Sequence, residues 1–302
     1  MANGLSHMPG DPSSGTAEVV FGRHRRRLFG LAYRMLGSRA EAEDVVQDAY
    51  VRWHQADRDA IQNPEAWLVT TASRLALDRL RALKSEREAY QGPWLPEPLM
   101  GMEPPPDRRV ELAADLSVAF LVLLERLAPE ERAAFLLHEV FECEYRQIAR
   151  VLDKSEAACR QIVHRARERV RQDRKRFEAS DAARENLLRR FVAAVEARDE
   201  QALLDLLAPD VTWTADGGGR VPAAPRPIVG AERVIRLVLG LQAKYARSGA
   251  TLHLAAVNGE TGLCLRLGGR LVSVFAVETD GRRLSHVYVI VNPEKLGSAS
   301  VQ

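Results

Sequence analysis

The feature that most limits the fold is a twice-broken run of helical apolar spacing between Leu127 and Arg176. Leu127, Phe135, Leu136, Val140, Ile148, Val151, Leu152, Ile162 and Val163 recur so that each segment carries one apolar face. Pro129-Glu130-Glu131 opens a first helix, with proline and acids in the first turn, where a free backbone donor and the positive end of the helix dipole favour them. It reaches about Val140 or Phe141. A short second helix covers about Tyr145 to Leu152. Asp153-Lys154-Ser155 then turns the chain, and Ser155 is placed to cap a third helix running from Glu156 past Arg171. Helix, three-residue turn, helix is the arrangement that lays its second helix in a DNA groove.

The third helix is strongly basic. Lys154, Arg160, Arg165, Arg167, Arg169, Arg171, Arg174, Lys175 and Arg176 face only Glu156, Glu168 and Asp173. A basic run by itself is more often a solvated face. The short helix and turn before it favour phosphate neutralisation instead, because a free surface helix needs no such scaffold. The stretch EYRQIARVLDKSEAACRQIVHRARERVR resembles region four of the bacterial extracytoplasmic-function sigma factors. That family shows a Tyr/Glu-x-Glu/Gln-Ile-Ala run, a turn, and a Val-Arg-x-x-x-x-Arg-Ala-Arg helix; this chain has Cys159 where valine is usual. The resemblance implies contact with the minus-thirty-five promoter element. Lys154, Ser155, Glu156, Arg160, Gln161, His164, Arg165, Arg167 and Arg169 form the contact set. Ser155, Glu156, Arg160 and Gln161 would reach base edges, while Arg165, Arg167 and Arg169 would hold phosphates.

With 302 residues there is room for two or three small domains. Hydrophobic residues at 46% and charged residues at 28% are ordinary for a globular protein, and a net charge of +2 makes any basic patch local. Cys143, Cys159 and Cys264 are widely spaced, so neither a disulfide framework nor a zinc site is expected, and no cofactor. No apolar run approaches the roughly 18 residues of a membrane span. Residues 1–17 lack the layout of a signal peptide and read as a disordered leader. These features fit a cytoplasmic protein with no membrane partner.

Between residues 18 and 90 the pattern is wholly helical. Phe21, Leu28, Leu31, Ala32, Met35 and Leu36 form a stripe closed by Gly37. Ser38-Arg39-Ala40-Glu41 resembles a capping box. The helix that follows, to about Gln55, is expected to bury Ala42, Val45, Val46, Ala49, Val51 and Trp53, leaving Asp44, Gln47 and Asp48 together on another face. On pattern alone that face is as well read as a solvated acidic surface. AEAEDVVQDAYVRW, however, resembles sigma region two, which implies that Asp44, Gln47 and Asp48 dock on the clamp helices of the largest subunit of core RNA polymerase. Asn63 and Pro64 start a further helix as cap and first residue. In the resembling family this helix and the preceding loop read the melted minus-ten element. Gln62, Asn63, Arg74 and Asp78 are the base-proximal candidates, and Arg79, Arg81 and Lys84 the phosphate candidates. For Asp78 an intrahelical pair with Arg74 or Arg81 is the alternative reading.

Residues 91–110 hold six of the fifteen prolines and should run extended. Trp94, Leu95, Leu99, Met100 and Met102 are too apolar for a bare linker and call for a docking surface. After Arg176 the pattern changes to two helices (Leu187 to Val195, then Leu203 to Leu207), a strand at Val211–Thr214, a turn at Asp216–Arg220 and a helix from Gly230 to about Tyr245. Strands follow at Thr251–Asn258, Gly262–Leu267, Arg270–Thr279 and Leu284–Val291, the last two joined at Asp280-Gly281. Helices followed by a strand meander argue an α+β layer. This part resembles the SnoaL-like, cone-shaped fold of the nuclear-transport-factor superfamily. WLPEP, DGGGR and the closing VNPEKL resemble motifs of sigma factors that carry such a domain.

The organisation expected is a leader (1–17), sigma region two (18–90), a proline-rich linker (91–110), sigma region four (111–178), a SnoaL-like domain (180–296) and a tail (297–302). The fold class is two all-α modules plus an α+β cone. The function implied is an alternative sigma factor that binds core polymerase and promoter DNA, both duplex and melted. Its C-terminal domain would regulate activity through Trp94, Leu95, Pro96, Asp216, Gly217, Asn292, Pro293, Lys295 and Leu296. Two rivals are a helix-turn-helix regulator with a ligand-sensing domain and a bifunctional protein whose cone is an enzyme. His253, His286, Asp210 and Asp216 are the groups available for an acid/base pair in the cone. They form no convincing constellation, so no catalytic residue is expected. A small apolar ligand in the cone is a further partner that the resemblance allows.

Overall fold

The computed structural model describes residues 12–101, 116–174 and 179–297. The first helix, α1 (Pro12–Leu36), begins inside the stretch expected to be a disordered leader. Ala17 is buried and its carbonyl accepts from the Trp53 indole at 3.1 Å, so tertiary contact holds the start of the helix against a Gly- and Ser-rich sequence. Gly37 ends α1 in the left-handed conformation at φ +66. Ser38 caps α2 (Arg39–Gln55) through the Glu41 amide. The capping box is one-sided, because the Glu41 carboxylate pairs with Arg79 instead. Val51, expected in the core, is 42% exposed, being off the Ala42–Val45–Ala49–Trp53 stripe. A 3-10 turn at Arg58–Ala60 leads to α3 (Pro64–Glu88), capped by Asn63.

The second helical module consists of α4 (Val118–Glu125), α5 (Pro129–Phe135) widening to a π turn over Leu136–Val140, α6 (Tyr145–Leu152) and α7 (Glu156–Arg174). Asp153 turns at φ +53, and the Ser155 hydroxyl caps α7 through the Ala158 amide at 3.2 Å. Cys159, Ile162, Val163, Ala166 and Val170 form the buried face of α7. The two helical modules share one apolar core, running from Leu28 and Leu77 to Phe135 and Val163. At their junction, buried Arg132 donates to the Met35 carbonyl and to Glu125, both at 2.7 Å, and Glu125 also receives Arg87 of α3. A charge-assisted bond inside a low-dielectric junction has tight geometric demands, so it fixes how the modules meet.

The C-terminal part has α8 (Asp181–Ala197), α9 (Glu200–Leu206), β1 (Leu207–Asp216), β2 (Ile228–Val229), α10 (Ala231–Tyr245), β3 (Ala250–Val257), β4 (Glu260–Leu267), β5 (Arg270–Thr279), β6 (Leu284–Ile290) and α11 (Pro293–Gly297). Leu207 begins β1 rather than ending a helix, and β2 was not expected. The sheet order is β2-β1-β6-β5-β4-β3, with β1 and β6 parallel and the remaining neighbours antiparallel. On one face Trp213, Leu263, Val277, Val287 and Val289 pack with α8, α9 and α10, giving the α+β cone. On the other face Val274, Ala276, Tyr288 and Ile290 pack with Leu95 of the linker and Val118 of α4.

Candidate promoter, polymerase and interdomain contact sites

The polymerase candidates Asp44, Gln47 and Asp48 are all exposed on α2, opposite its buried stripe. The helical period that buries Val45 and Ala49 necessarily turns these three outward. The minus-ten candidates are more varied in their surroundings. Gln62 is exposed, and exposed Asn63 uses its side-chain oxygen to cap α3 through the Ala66 amide at 3.0 Å. Arg74 donates to the Arg150 carbonyl of α6. Asp78 pairs with Arg81 at 3.3 Å, as the alternative reading had it, and Arg81 also reaches Glu130 at 2.9 Å. Lys84 stands 3.9 Å from Glu88. Arg79 is bidentate on Glu41 of α2, and this bond raises its pKa further.

All nine minus-thirty-five candidates are exposed: Lys154, Ser155, Glu156, Arg160, Gln161, His164, Arg165, Arg167 and Arg169. Several are paired with acids of the same module. Arg160 bonds Glu156 at 3.2 Å, Arg167 bonds Glu139 at 2.5 Å, Arg169 bonds Glu131 at 2.6 Å, and Lys154 lies 3.3 Å from Glu130. Glu139 has a lowered pKa: burial raises it, and the bonds from Arg167 and His138 outweigh that. The minus-ten and minus-thirty-five sets meet. Arg81 and Lys84 of α3 face Lys154, Gln161 and Arg165 across an open cleft of about 600 Å³, with Glu130 between them. The cleft is open to solvent, and the face of α7 that carries the candidates stays exposed beside it.

The interdomain residues converge on one carboxylate. Asp216 is fully buried and accepts from the Tyr90 hydroxyl at 2.7 Å, the Leu95 amide at 2.8 Å, the Gly218 amide at 3.0 Å and the Lys295 ammonium at 2.6 Å. Burial lowers the pKa of Lys295, and Asp216 opposes that shift. The ammonium also lies 4.2 Å from the Trp94 ring centre, and Arg87 covers the same ring at 4.0 Å. Asn292 donates to Tyr90 at 2.9 Å, and Leu296 is buried beside Leu95. Gly218 is required here: at φ +60 a first side-chain carbon would lie 2.3 Å from the Asn292 amide nitrogen. Gly37 makes similar room for Trp94. Pro96 and Gly217 are buried in the same contact. Pro293 is exposed and opens α11.

The four groups named for acid/base work do not meet in the cone. His253 and Asp210 are exposed. His286 shares its strand face with Tyr288, opposite Val287 and Val289 that fill the cone, and it bonds the Thr214 hydroxyl at 2.8 Å. Its pKa is pulled down to about 4, by burial first and by Arg126 second. Asp216 belongs to the interdomain contact. Alternation along a strand shows which residues share a face, but not which face becomes the concave one. Two contributors were missed by sequence reading. Buried Glu97 accepts from the Ser38 hydroxyl at 3.1 Å and from the Arg39 amide at 2.9 Å. Asn258 is 2% exposed and bonds three separate segments.

Two families match this sequence: Sigma-70 region 2 over residues 20–86, and Sigma-70, region 4 over residues 117–170. The ECF RNA polymerase sigma factor SigJ of Mycobacterium tuberculosis is 43% identical over 243 residues, covering 79% of this chain and 77% of that protein. The chain belongs to the extracytoplasmic-function RNA polymerase sigma factors. It is an alternative sigma factor for transcription initiation. A probable sigma factor of the same organism, SigI, is 31% identical over 275 residues, with coverage of 90% and 92%. The crystal structure of M. tuberculosis SigJ superposes with a TM-score of 0.73 at 36% identity, over 96% of this sigma factor and 100% of that chain. The likeness to SigJ thus extends beyond the two sigma regions to the sheet domain.

Proposed function

We propose that this sigma factor docks on the clamp helices of core polymerase through Asp44, Gln47 and Asp48. Arg74, Asp78, Arg81 and Lys84, with Gln62 and Asn63, meet the melted minus-ten strand, and the exposed face of α7 meets the minus-thirty-five duplex. The units are residues 18–90, 111–178 and 180–296, joined by the linker at 91–110. The C-terminal domain regulates the chain by biasing the spacing of the two helical modules. The observation that carries this reading is the position of Asp216: one buried carboxylate bonds Tyr90, the linker at Leu95 and the C-terminal Lys295 together. A domain can shift a balance between arrangements only by contacting them differently, and this contact is made in the compact one. Widening the cleft between α3 and α7 is the step that sets the two exposed DNA-reading surfaces at promoter spacing. The chain does no chemistry of its own, a reading supported by the separate placement of His253, His286 and Asp210, none of which shares a pocket in the cone. It works in the cytoplasm with polymerase; among the described residues no helix is long and apolar enough to cross a membrane.

The test is promoter-dependent transcription with core polymerase. It compares the full chain, a version ending after residue 180, a version ending before Asn292, and Trp94→Ala. Loss of residues 292–302 should raise activity severalfold, because it removes Lys295 and Leu296 from the contact. Loss of the whole domain should lower activity, because Leu95 and Val118 lose their cover. Equal activity and equal compactness in small-angle scattering for all four proteins would reduce the domain to a passenger.

A further inference from the structure

The turn between β3 and β4 is Asn258-Gly259, with φ of +53 and +82. Both residues are left-handed, the conformation a two-residue hairpin turn of this hand demands. Turn formation alone would leave an asparagine side chain in solvent. Here it is buried, and each of its polar functions is engaged. Its oxygen accepts from the Leu99 amide of the linker at 2.9 Å. Its amide donates to the Tyr33 hydroxyl of α1 at 2.7 Å and to the Leu116 carbonyl just ahead of α4 at 2.9 Å. The flip of the amide is fixed by chemistry, since the Leu99 N–H only donates and the Leu116 carbonyl only accepts. One side chain of the C-terminal domain therefore touches sigma region two, the linker and the start of region four.

The backbone at this point repeats the tie. Met100 pairs with Val257 in an antiparallel bridge. The Asn258 amide donates to the Leu99 carbonyl at 2.8 Å, and the Gly101 amide donates to the Ala256 carbonyl at 3.1 Å. Strand β3 is the outermost strand of the sheet, so these bonds use backbone groups on its open edge. The linker is thus laid on the sheet as a short added strand, the mode by which extended peptides bind sheet edges. The Tyr33 hydroxyl, receiving from Asn258, donates to the Glu97 carbonyl and closes the circuit.

We infer that Asn258 is the positioning residue that stores the interdomain linker on the edge of β3, and that polymerase binding requires the linker to be peeled from it. This rests on the regulatory reading above, and it adds an anchor separate from Asp216 and Lys295. The two anchors lie at opposite ends of the linker stretch 95–101, so trimming the C-terminus releases one and leaves the other. Separation of α1 from α4 breaks the Asn258 contacts, because its amide holds Tyr33 and Leu116 at once.

Asn258→Gly in the full-length chain tests this, because glycine keeps the turn and removes the side chain. Tyr33→Phe is the second variant, deleting one hydroxyl of the same circuit. Hydrogen exchange should show protection of residues 95–101 falling at least about tenfold in Asn258→Gly and about threefold in Tyr33→Phe. Protection of β4 and β5 should stay unchanged, and affinity for core polymerase should rise severalfold. Unchanged linker protection overturns the positioning role. Loss of β4 and β5 protection together with the linker's in both variants shows a fold-maintaining residue only, and overturns it equally. Linker release without any gain in polymerase affinity overturns the peeling step. The version ending before Asn292 is run alongside. If it alone changes activity, the regulatory reading stands and this inference falls; if neither changes it, both fall.

Discussion

Replacing Lys295 by methionine keeps its length and apolar stem and deletes its charge. The Asp216 carboxylate, fully buried, then keeps the Tyr90, Leu95 and Gly218 donors and loses its counter-ion. Orphaning one member of a buried pair costs about 3–5 kcal/mol, and three remaining donors put this case near about 3. Asp216→Asn leaves the opposite problem, an ammonium whose side chain is only 12% exposed. It retains the Leu95 carbonyl and the faces of Trp94 and Tyr90, which do not neutralise it, so about 4 kcal/mol is expected. The double variant leaves neither member of this pair charged. It should lose about 3 kcal/mol rather than the sum of about 7, a coupling near 4 kcal/mol where independent sites couple by under about 0.5. Urea titrations followed by tryptophan fluorescence read this directly, since Trp94 lies between Arg87 and Lys295. Additive losses in the double variant, or single losses below about 1 kcal/mol, would refute the claim that this pair holds the domain in place.

Asp44→Ala combined with Gln47→Ala should weaken holoenzyme formation at least about tenfold, with an unchanged melting temperature, since neither residue is buried. A promoter library should separate Arg160→Ala, which relaxes preference at one or two positions, from Arg167→Ala, which weakens all sequences alike and flattens the salt slope. Stability should fall with acid through His286. Its folded pKa of about 4 lies below the ordinary 6.5, so the contribution is full above pH 6.5 and drains away as pH falls to about 4. The loss is about 3 kcal/mol, and it should be absent in His286→Gln when urea midpoints are compared at pH 7 and pH 4.

The local signals were legible because they act within one turn of chain. Ser38, Asn63 and Ser155 were read as caps and all three accept the expected amide. Arg270–Thr279 was read as a strand with the observed bounds. Long-range pairing was not legible. Nothing in Val211–Thr214 or Leu284–Val291 says that β1 and β6 run parallel, because that depends on where α10 returns the chain. The buried role of Glu97 was hidden by its charge, which in a proline-rich stretch reads as solvated. Asn258 carried a usable signal: Asn-Gly between two apolar runs marks a two-residue hairpin. Reading Asn258 as the last residue of a strand passed over it. Even so, the dipeptide predicts only the turn, and the three partners of its side chain come from the packing of distant segments.

The sheet constrains how regulation works. Along β6, Val287 and Val289 point to the helices of the cone while Tyr288 and Ile290 point to the linker and α4. A strand apolar on both faces belongs to a sheet covered on both sides. Complete departure of the C-terminal domain would uncover Leu95, Val118, Tyr288 and Ile290 together, an apolar patch that a free surface does not tolerate well. The polar anchors, by contrast, are few and lie at the two ends of the docked linker: buried Asp216 with Lys295 at one end, buried Asn258 at the other. Breaking one end anchor while the apolar face stays covered lets the modules pivot without exposing that face. On this argument a cut before Asn292 and a cut after residue 180 act in opposite directions, since the first removes an anchor and the second removes the cover.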